Sequence, residues 1–251
     1  MELFDIIIPI GPKDVEIINR QLEYTKNNVI GYRNIYLISY DKRIKIKDCI
    51  TISEEIFPFS IKTVAKYHGK RDRNGWYLQQ LLKLYAGKVI PDILDKYLVI
   101  DSDTFFFKPI KFIEDGKCLY NYDNVCHRPY FIHMHKLHPE FIKVTSKSGI
   151  THHMMFETKY VTELMNMVEK IHNKPFYDVF LEKVTDFDGA GASEYEIYFN
   201  FILKFHLDKI KVRLLNWRNA TELNFNHNFD YVSYHWHLIK KNNKKMKMTF
   251  N

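Results

Sequence analysis

The chain is poor in several things that would have narrowed its class at once. It has only three cysteines in 251 residues, Cys49, Cys118 and Cys126, an odd number set far apart. No pair has metal-ligand spacing, so a zinc ribbon and a disulfide scaffold are both excluded, and free thiols in a reducing compartment are expected. No apolar run approaches the roughly 18 residues that a membrane-spanning helix needs. The N-terminus carries no signal-peptide pattern: it passes from an acidic residue straight into a strand-like run. A soluble, cytoplasmic protein is therefore expected. Internal repeats, low-complexity linkers and a composition shift that would mark a second domain are also missing. Nor is there a Gly-rich basic loop after the first strand, only Gly11-Pro12-Lys13.

Acidic residues are in the minority, 30 against 37 basic ones, for a formal charge of +7. Such a charge suits an anionic ligand, and it would also suit nucleic acid or an acidic membrane. Part of the excess is local, in the KKNNKKMK stretch from Lys240 to Lys247. Residues 241–251 are expected to be a basic tail after one domain spanning 1–240, solvated or in peripheral contact with a membrane. Apolar residues make up 46% of the chain and aromatic residues 16%, enough for a substantial core that absorbs most of the rings.

The hydrophobic pattern alternates strand and helix. Leu3 to Ile10 reads as a buried parallel strand stopped by Gly11-Pro12, and Val15 to Tyr24 has helical spacing. Asn34 to Tyr40 reads as a second strand, and Thr51 to Ile56 is a candidate third. Gly75 to Val89 reads as an amphipathic helix with Leu78, Leu81, Leu82 and Tyr85 on one side. Lys96 to Ile100 is the next strand, followed by short strands and loops to about Thr151. Helices are expected at Lys159–Ile171 and Ser193–Leu207, and a last strand at Tyr231–Leu238. This rhythm points to an α/β fold with a mostly parallel central sheet flanked by helices.

Asp101-Ser102-Asp103 stands at the carboxyl end of the apolar strand KYLVI. In extended backbone alternate side chains share a face, which would aim Asp101 and Asp103 together and Ser102 away. Ligands of open parallel sheets bind beyond the carboxyl ends of the strands. Two carboxylates there repel a phosphate unless a divalent cation lies between them, and that cation would neutralise charge on a departing diphosphate.

The segment VIDSDTFFFKP resembles the D-x-D segment of the GT-A glycosyltransferases, nucleotide-sugar-dependent enzymes with a single Rossmann-like domain. RNGWYLQQLLK, residues 73–83, resembles the helix some of these enzymes set beside the nucleotide, and the opening IIIPIG and a late His-bearing strand fall in the family's order. The resemblance runs from about residue 3 to 240, with only the D-x-D region specific. It implies transfer of a sugar from a nucleotide diphosphate, UDP being the commonest, to a hydroxyl of a glycan or protein-linked acceptor. It implies that Asp103 binds the metal directly, that Asp101 meets the ribose or metal-bound water, and that Ser102 lies near the ribose.

A third metal ligand is expected from the late strand, where His235 and His237 share a face; His235 is the choice. Two carboxylates and an imidazole suit Mn²⁺ better than Mg²⁺. Around the nucleotide, Arg73, Trp76 and Gln80 are candidates, with the turn Pro9-Ile10-Gly11 near the base and Asp41 reading the uracil edge. His152 and His153 are candidates for holding the acceptor. Lys83 flanks the GWYLQQLL helix, where a solvated charge is the plain alternative. The cluster His127, His133, His135 and His138 lacks a compact zinc pattern. Ser193 and Glu196 fit a capping box, which leaves Glu194 at the helix mouth as the base of an inverting transferase, with Asp186 and Asp188 as rivals. Three competing classes remain. A phosphatase sharing the acidic pair would want Thr or Val where Phe105 stands. A nucleotidyltransferase would want the missing Gly-rich loop. A nucleic-acid-binding protein would rest on charge and aromatics alone, without a motif.

Overall fold

The computed structural model describes residues 2–221 and 228–234. The expectations for His235, His237 and the basic tail at 241–251 lie outside the described residues. The Phe4–Ile10 strand is buried along its whole length at the centre of a five-stranded sheet. Tyr32–Ser39 and Lys96–Ile100 flank it in parallel, and Ile50–Ser53 extends the sheet in parallel beyond Tyr32–Ser39. His153–Glu157 closes the other edge antiparallel to Lys96–Ile100. Strands buried on both faces need no polar alternation, which is why apolar runs in the sequence mark them as parallel strands. The α/β sheet flanked by helices is thus as expected.

Helix Asn74–Val89 lies against the central strand and against helices Ile61–His68, Thr158–His172 and Glu194–Phe205. It stops where Pro91 holds Ile90 in an extended conformation, ψ 122°. Gly87 lets it come down onto the sheet, since a Cβ there would stand 2.6 Å from the Tyr97 ring. That close approach carries the preceding turns of the helix, with Lys83, toward the carboxyl ends of the strands.

Several boundaries differ from expectation. The first helix spans Ile18–Asn28, because the chain from Asp14 to Ile17 is taken up by turns. Glu54–Ile56 is a single 3₁₀ turn rather than strand, started by the Ser53 side chain. The stretch expected to hold only short strands and loops contains a helix, Arg128–Leu137, opened by Pro129 in its first turn. A second, three-stranded sheet sets Tyr231–Tyr234 between Trp217–Ala220 and Thr104–Phe106. It folds the late part of the chain back onto the segment just after Asp103. Among the described residues no helix is long and apolar enough to cross a membrane.

Candidate functional site

Asp101 and Asp103 sit in a turn, not in extended backbone: the Thr104 N–H donates to the Asp101 carbonyl at 3.0 Å. Both carboxylates nevertheless reach one centre. The reason for their shared aim is therefore corrected, while the aim stands. His152 joins them from the far edge of the sheet. Its carbonyl accepts from the Asp101 N–H at 2.9 Å, continuing the antiparallel ladder by one step. Its backbone then turns left-handed, φ +63°, a conformation His tolerates at modest cost and one that recurs at functional sites. The turn brings Nδ1 to 3.2 Å from Asp101 Oδ2. One ligand atom from each of Asp101, Asp103 and His152 lies within 4.8 Å of the others, which could hold a metal ion. Among the described residues this is the one such group; the His127–His138 cluster forms none.

The donor set fits a divalent cation. Neighbouring ligand atoms of an octahedral ion with bonds of about 2.1 Å stand about 3 Å apart, close to the His152–Asp101 separation. Charge balance points the same way. Burial pushes the Asp103 carboxyl up to about 7, and the charges of Asp101 and Asp14 add to it against the opposing pull of His152 and the Ser233 hydroxyl. Burial would raise Asp101 as well, but the Lys83 charge, the His152 hydrogen bond and the Lys83 hydrogen bond together hold it below the usual carboxylate range. Asp14, Asp101 and Asp103 are thus crowded together, and Lys83 divides its ammonium between Asp101 and Glu194.

Sequence reasoning misses Asp14 and Tyr195. Asp14 caps the turn after the first strand, accepting from the Gly11 N–H at 2.7 Å, with the Ser102 hydroxyl as a further partner. Burial, more than the neighbouring Asp101, raises its pKa. Its signal is the spacing G-P-K-D at a strand's carboxyl end, where a side chain three residues on can turn back to a free N–H. The Tyr195 hydroxyl donates to Asp101 Oδ1 at 2.8 Å. Ser233 Oγ donates to Asp103 Oδ1 at 3.2 Å, and the Tyr234 N–H donates to the Asp103 carbonyl at 2.7 Å. The late strand thus runs beside the acidic pair through Ser233 and Tyr234.

Other expectations are redistributed. His153 is no acceptor residue. It is 2% exposed, inside its strand, with Nδ1 on the Thr151 carbonyl and its ring edge-on to Phe106, Phe112 and Tyr231. The split falls where the strand begins: His153 is its first residue, while the left-handed backbone of His152 just before it turns that ring toward Asp101. Glu196 does not complete a reciprocal capping box. Ser193 accepts from the Glu196 N–H at 3.2 Å, but the Glu196 carboxylate instead accepts from Ser148 Oγ and the Gly149 N–H. Glu194 is not left at an open helix mouth either. It is 3% exposed and its Oε1 lies 2.7 Å from Lys83 Nζ. Lys83, far from being a solvated helix-end charge, is itself 3% exposed in mid-helix.

Gln80 is buried, its Oε1 accepting from the Glu194 N–H at 3.1 Å, so it fixes the start of the Glu194–Phe205 helix. Arg73 stacks its guanidinium over Trp76 at 4.9 Å and donates to the Gly189 carbonyl. Asp41 is gripped by Arg43 at the carboxyl end of its strand, and those hydrogen bonds hold its carboxyl down at about 2. Pro9 and Ile10 are buried at the end of the central strand, with Gly11 half-buried beyond them. Asp188 pairs with Arg71 ahead of the Asn74–Val89 helix, and Asp186 accepts from the Gly189 N–H within its own loop, so both rivals of Glu194 have partners elsewhere.

The fold and site define a mixed α/β protein with a compact carboxylate–imidazole centre at the carboxyl end of its main sheet. The chain belongs to DUF6492, a family of unknown function, whose profile matches residues 33–235. That span includes the whole Asp101–Asp103–His152 group and leaves out Asp14. No curated protein matches the chain.

Proposed function

We propose that the protein is a metal-dependent glycosyltransferase of the GT-A type, moving a sugar from a nucleotide diphosphate, UDP first among the candidates, to a hydroxyl acceptor. The observation that carries the reading is the convergence of Asp101, Asp103 and His152 within 4.8 Å at the carboxyl end of a largely parallel sheet. A sheet of this kind flanked by helices fits a Rossmann-like domain, and the strand-end position is where such sheets take ligands. Asp103 and His152 would hold the cation, with Asp101 beside them, and this set favours Mn²⁺ over Mg²⁺. When bound, the cation supplies Lewis-acid stabilisation of charge on the departing diphosphate. Asp14 and Ser102, on the turns beyond their strands, border the space where the donor would lie. The proton-accepting role expected of Glu194 is not carried into this proposal, because its carboxylate faces Lys83.

The test is hydrolysis or transfer from a set of nucleotide sugars with and without Mn²⁺, beside thermal shift with the same ligands. Mn²⁺-dependent release of UDP, lost in Asp103→Asn, is expected. Phosphate release from phosphomonoesters, or stabilisation by oligonucleotides but not by UDP-sugar, would move the protein to another class.

A further inference from the structure

Lys83 makes three contacts, and two of them bear on one carboxylate. Its Nζ lies 2.5 Å from Asp101 Oδ1 and 2.7 Å from Glu194 Oε1. It also stands 4.4 Å from the centre of the Tyr195 ring, whose hydroxyl donates to that same Asp101 Oδ1. Asp101 Oδ1 is therefore held by two donors, from helices Asn74–Val89 and Glu194–Phe205, which leaves Oδ2 turned to His152 at 3.2 Å. Glu194 is joined to the centre through the ammonium, and its helix start is fixed by Gln80 from the same helix that carries Lys83. A buried lysine between two carboxylates is costly to place and strongly directional once placed, because each hydrogen bond fixes the partner's rotamer.

We propose that Lys83 and Glu194 are positioning residues, a buried brace that fixes the orientation of Asp101 in the metal centre, and that Glu194 acts through Lys83 and not as a proton acceptor. The proposal rests on the metal-centre reading above. It explains why two helices converge on this carboxylate: Asp101 opens the turn at the last step of the ladder, and its backbone bonds leave the carboxylate itself free to rotate.

The experiment measures Mn²⁺ affinity on the protein alone, with nucleotide-sugar turnover at saturating Mn²⁺ as the second readout. The variants are Lys83→Met, Lys83→Arg, Glu194→Gln and the double variant Lys83→Met/Glu194→Gln. Partners that orient metal ligands typically contribute about 10–100-fold in affinity or activity. Lys83→Met is expected to weaken Mn²⁺ binding by about that factor, and Lys83→Arg to restore most of it. Glu194→Gln, which can still accept from the ammonium, is expected to stay within about tenfold of the parent in turnover. In the Lys83→Met background it should add nothing, since Glu194 then has nothing to act through.

If Lys83→Met fails to fold because Glu194 is left buried and charged, the double variant compared with Glu194→Gln isolates the lysine. Tighter Mn²⁺ binding in Lys83→Met would overturn the brace, because it would mean the ammonium only repels the cation. A loss of about two to four orders of magnitude in turnover for Glu194→Gln, in both backgrounds, would overturn it too, returning Glu194 to the role of base. Failure of the underlying reading looks different: the parent protein, or Asp103→Asn as well as the parent, would show the same Mn²⁺ affinity as an unrelated control.

Discussion

Both ends of the central sheet carry aspartate, buried at one end and half-buried at the other, and they treat it in opposite ways. At the amino end Asp5 is fully buried and richly partnered. Arg33 donates from Nε at 3.1 Å and from Nη2 at 2.6 Å, and the Asn34 and Leu94 N–H groups donate at 3.1 and 2.8 Å. At the carboxyl end Asp101, Asp103 and Asp14 are crowded together, and the Lys83 ammonium is shared between Asp101 and Glu194. Burial of charge is tolerated at Asp5 because its partners are complete, and such a residue holds the fold together. At Asp103 burial and like charge leave the carboxyl pushed up to about 7, an arrangement that costs stability and that a bound cation would relieve. An electrostatic conflict of this kind is what the proposed metal site would resolve.

The largest effects should separate these two ends. Asp103→Asn is expected to lower Mn²⁺-dependent turnover by at least about a thousandfold, the loss of about 4 kcal/mol of transition-state stabilisation. Its melting temperature should stay level or rise, because a like charge has been removed. Asp5→Asn should do the reverse. Arg33 is about a third exposed, so the cost lies in the buried N–H groups left without their carboxylate, typically about 1–3 kcal/mol. In a chain of this size that lowers the melting temperature by ~2–12 °C, with turnover per folded molecule unchanged. Calorimetry and initial rates on the two variants check both statements. A destabilised Asp103→Asn with normal turnover would invert the comparison.

The paired histidines sharpen it. His152→Ala should weaken Mn²⁺ binding by about 10–100-fold at near-parent stability, since its ring is half-buried beside Asp101 and stands edge-on to Trp217 at 5.1 Å. His153→Ala should destabilise by about 2–4 kcal/mol, as removal of a ring from among Phe106, Phe112 and Tyr231 leaves a cavity. Its folded fraction should bind Mn²⁺ normally. Isothermal titration with Mn²⁺ and denaturant melts distinguish the two; equal Mn²⁺ defects would break the assignment of one histidine to the centre and one to the core.

The acidic pair is legible in the sequence because an apolar strand ends on it, and the parallel sheet is legible because strands covered on both faces need no polar residues. What escapes is whatever depends on contacts between distant parts of the chain. His152 reaches Asp101 only because its strand crosses to the sheet edge and its own backbone turns left-handed, neither of which its neighbours in sequence announce. Lys83 falls in the middle of a helix whose extent to Val89 is legible, but nothing in the helical pattern says that its ammonium is buried between Asp101 and Glu194. Glu196 matches a capping box in spacing, yet its carboxylate finds Ser148 and Gly149, partners almost fifty residues away, and only half the box forms. Short-range patterns predict which backbone groups need partners; they do not say which distant side chains compete for the role.

The smallest expected effect concerns a third kind of buried polar group, distant from both aspartate sites. His133, on the helix Arg128–Leu137, is fully buried with Nε2 2.8 Å from the Phe180 carbonyl, which makes Nε2 the donor of a neutral ring. Nδ1 has no hydrogen-bond partner. Burial lowers its pKa to about 4, with Lys136 and His68 adding to the effect and the Phe180 hydrogen bond opposing it. A histidine depressed in the folded state favours folding fully above its unfolded pKa, about 6.5, because there both states are neutral. As pH falls below about 6.5 the unfolded chain takes up a proton that the folded chain refuses, and stability is lost progressively until about pH 4. The slope approaches ~1.4 kcal/mol per pH unit for this one group, so about 1 kcal/mol should go between about pH 6.5 and 5.5. His68 contributes in the same direction, since burial also lowers its pKa while its Nε2 meets the Leu181 carbonyl. His133→Gln keeps a donor for the Phe180 carbonyl and cannot be protonated. Denaturant midpoints measured from about pH 7.5 to 5.0 should therefore fall less steeply in His133→Gln than in the parent, whatever the offset at the upper end. Parallel slopes would mean that the acid sensitivity of the fold is set elsewhere.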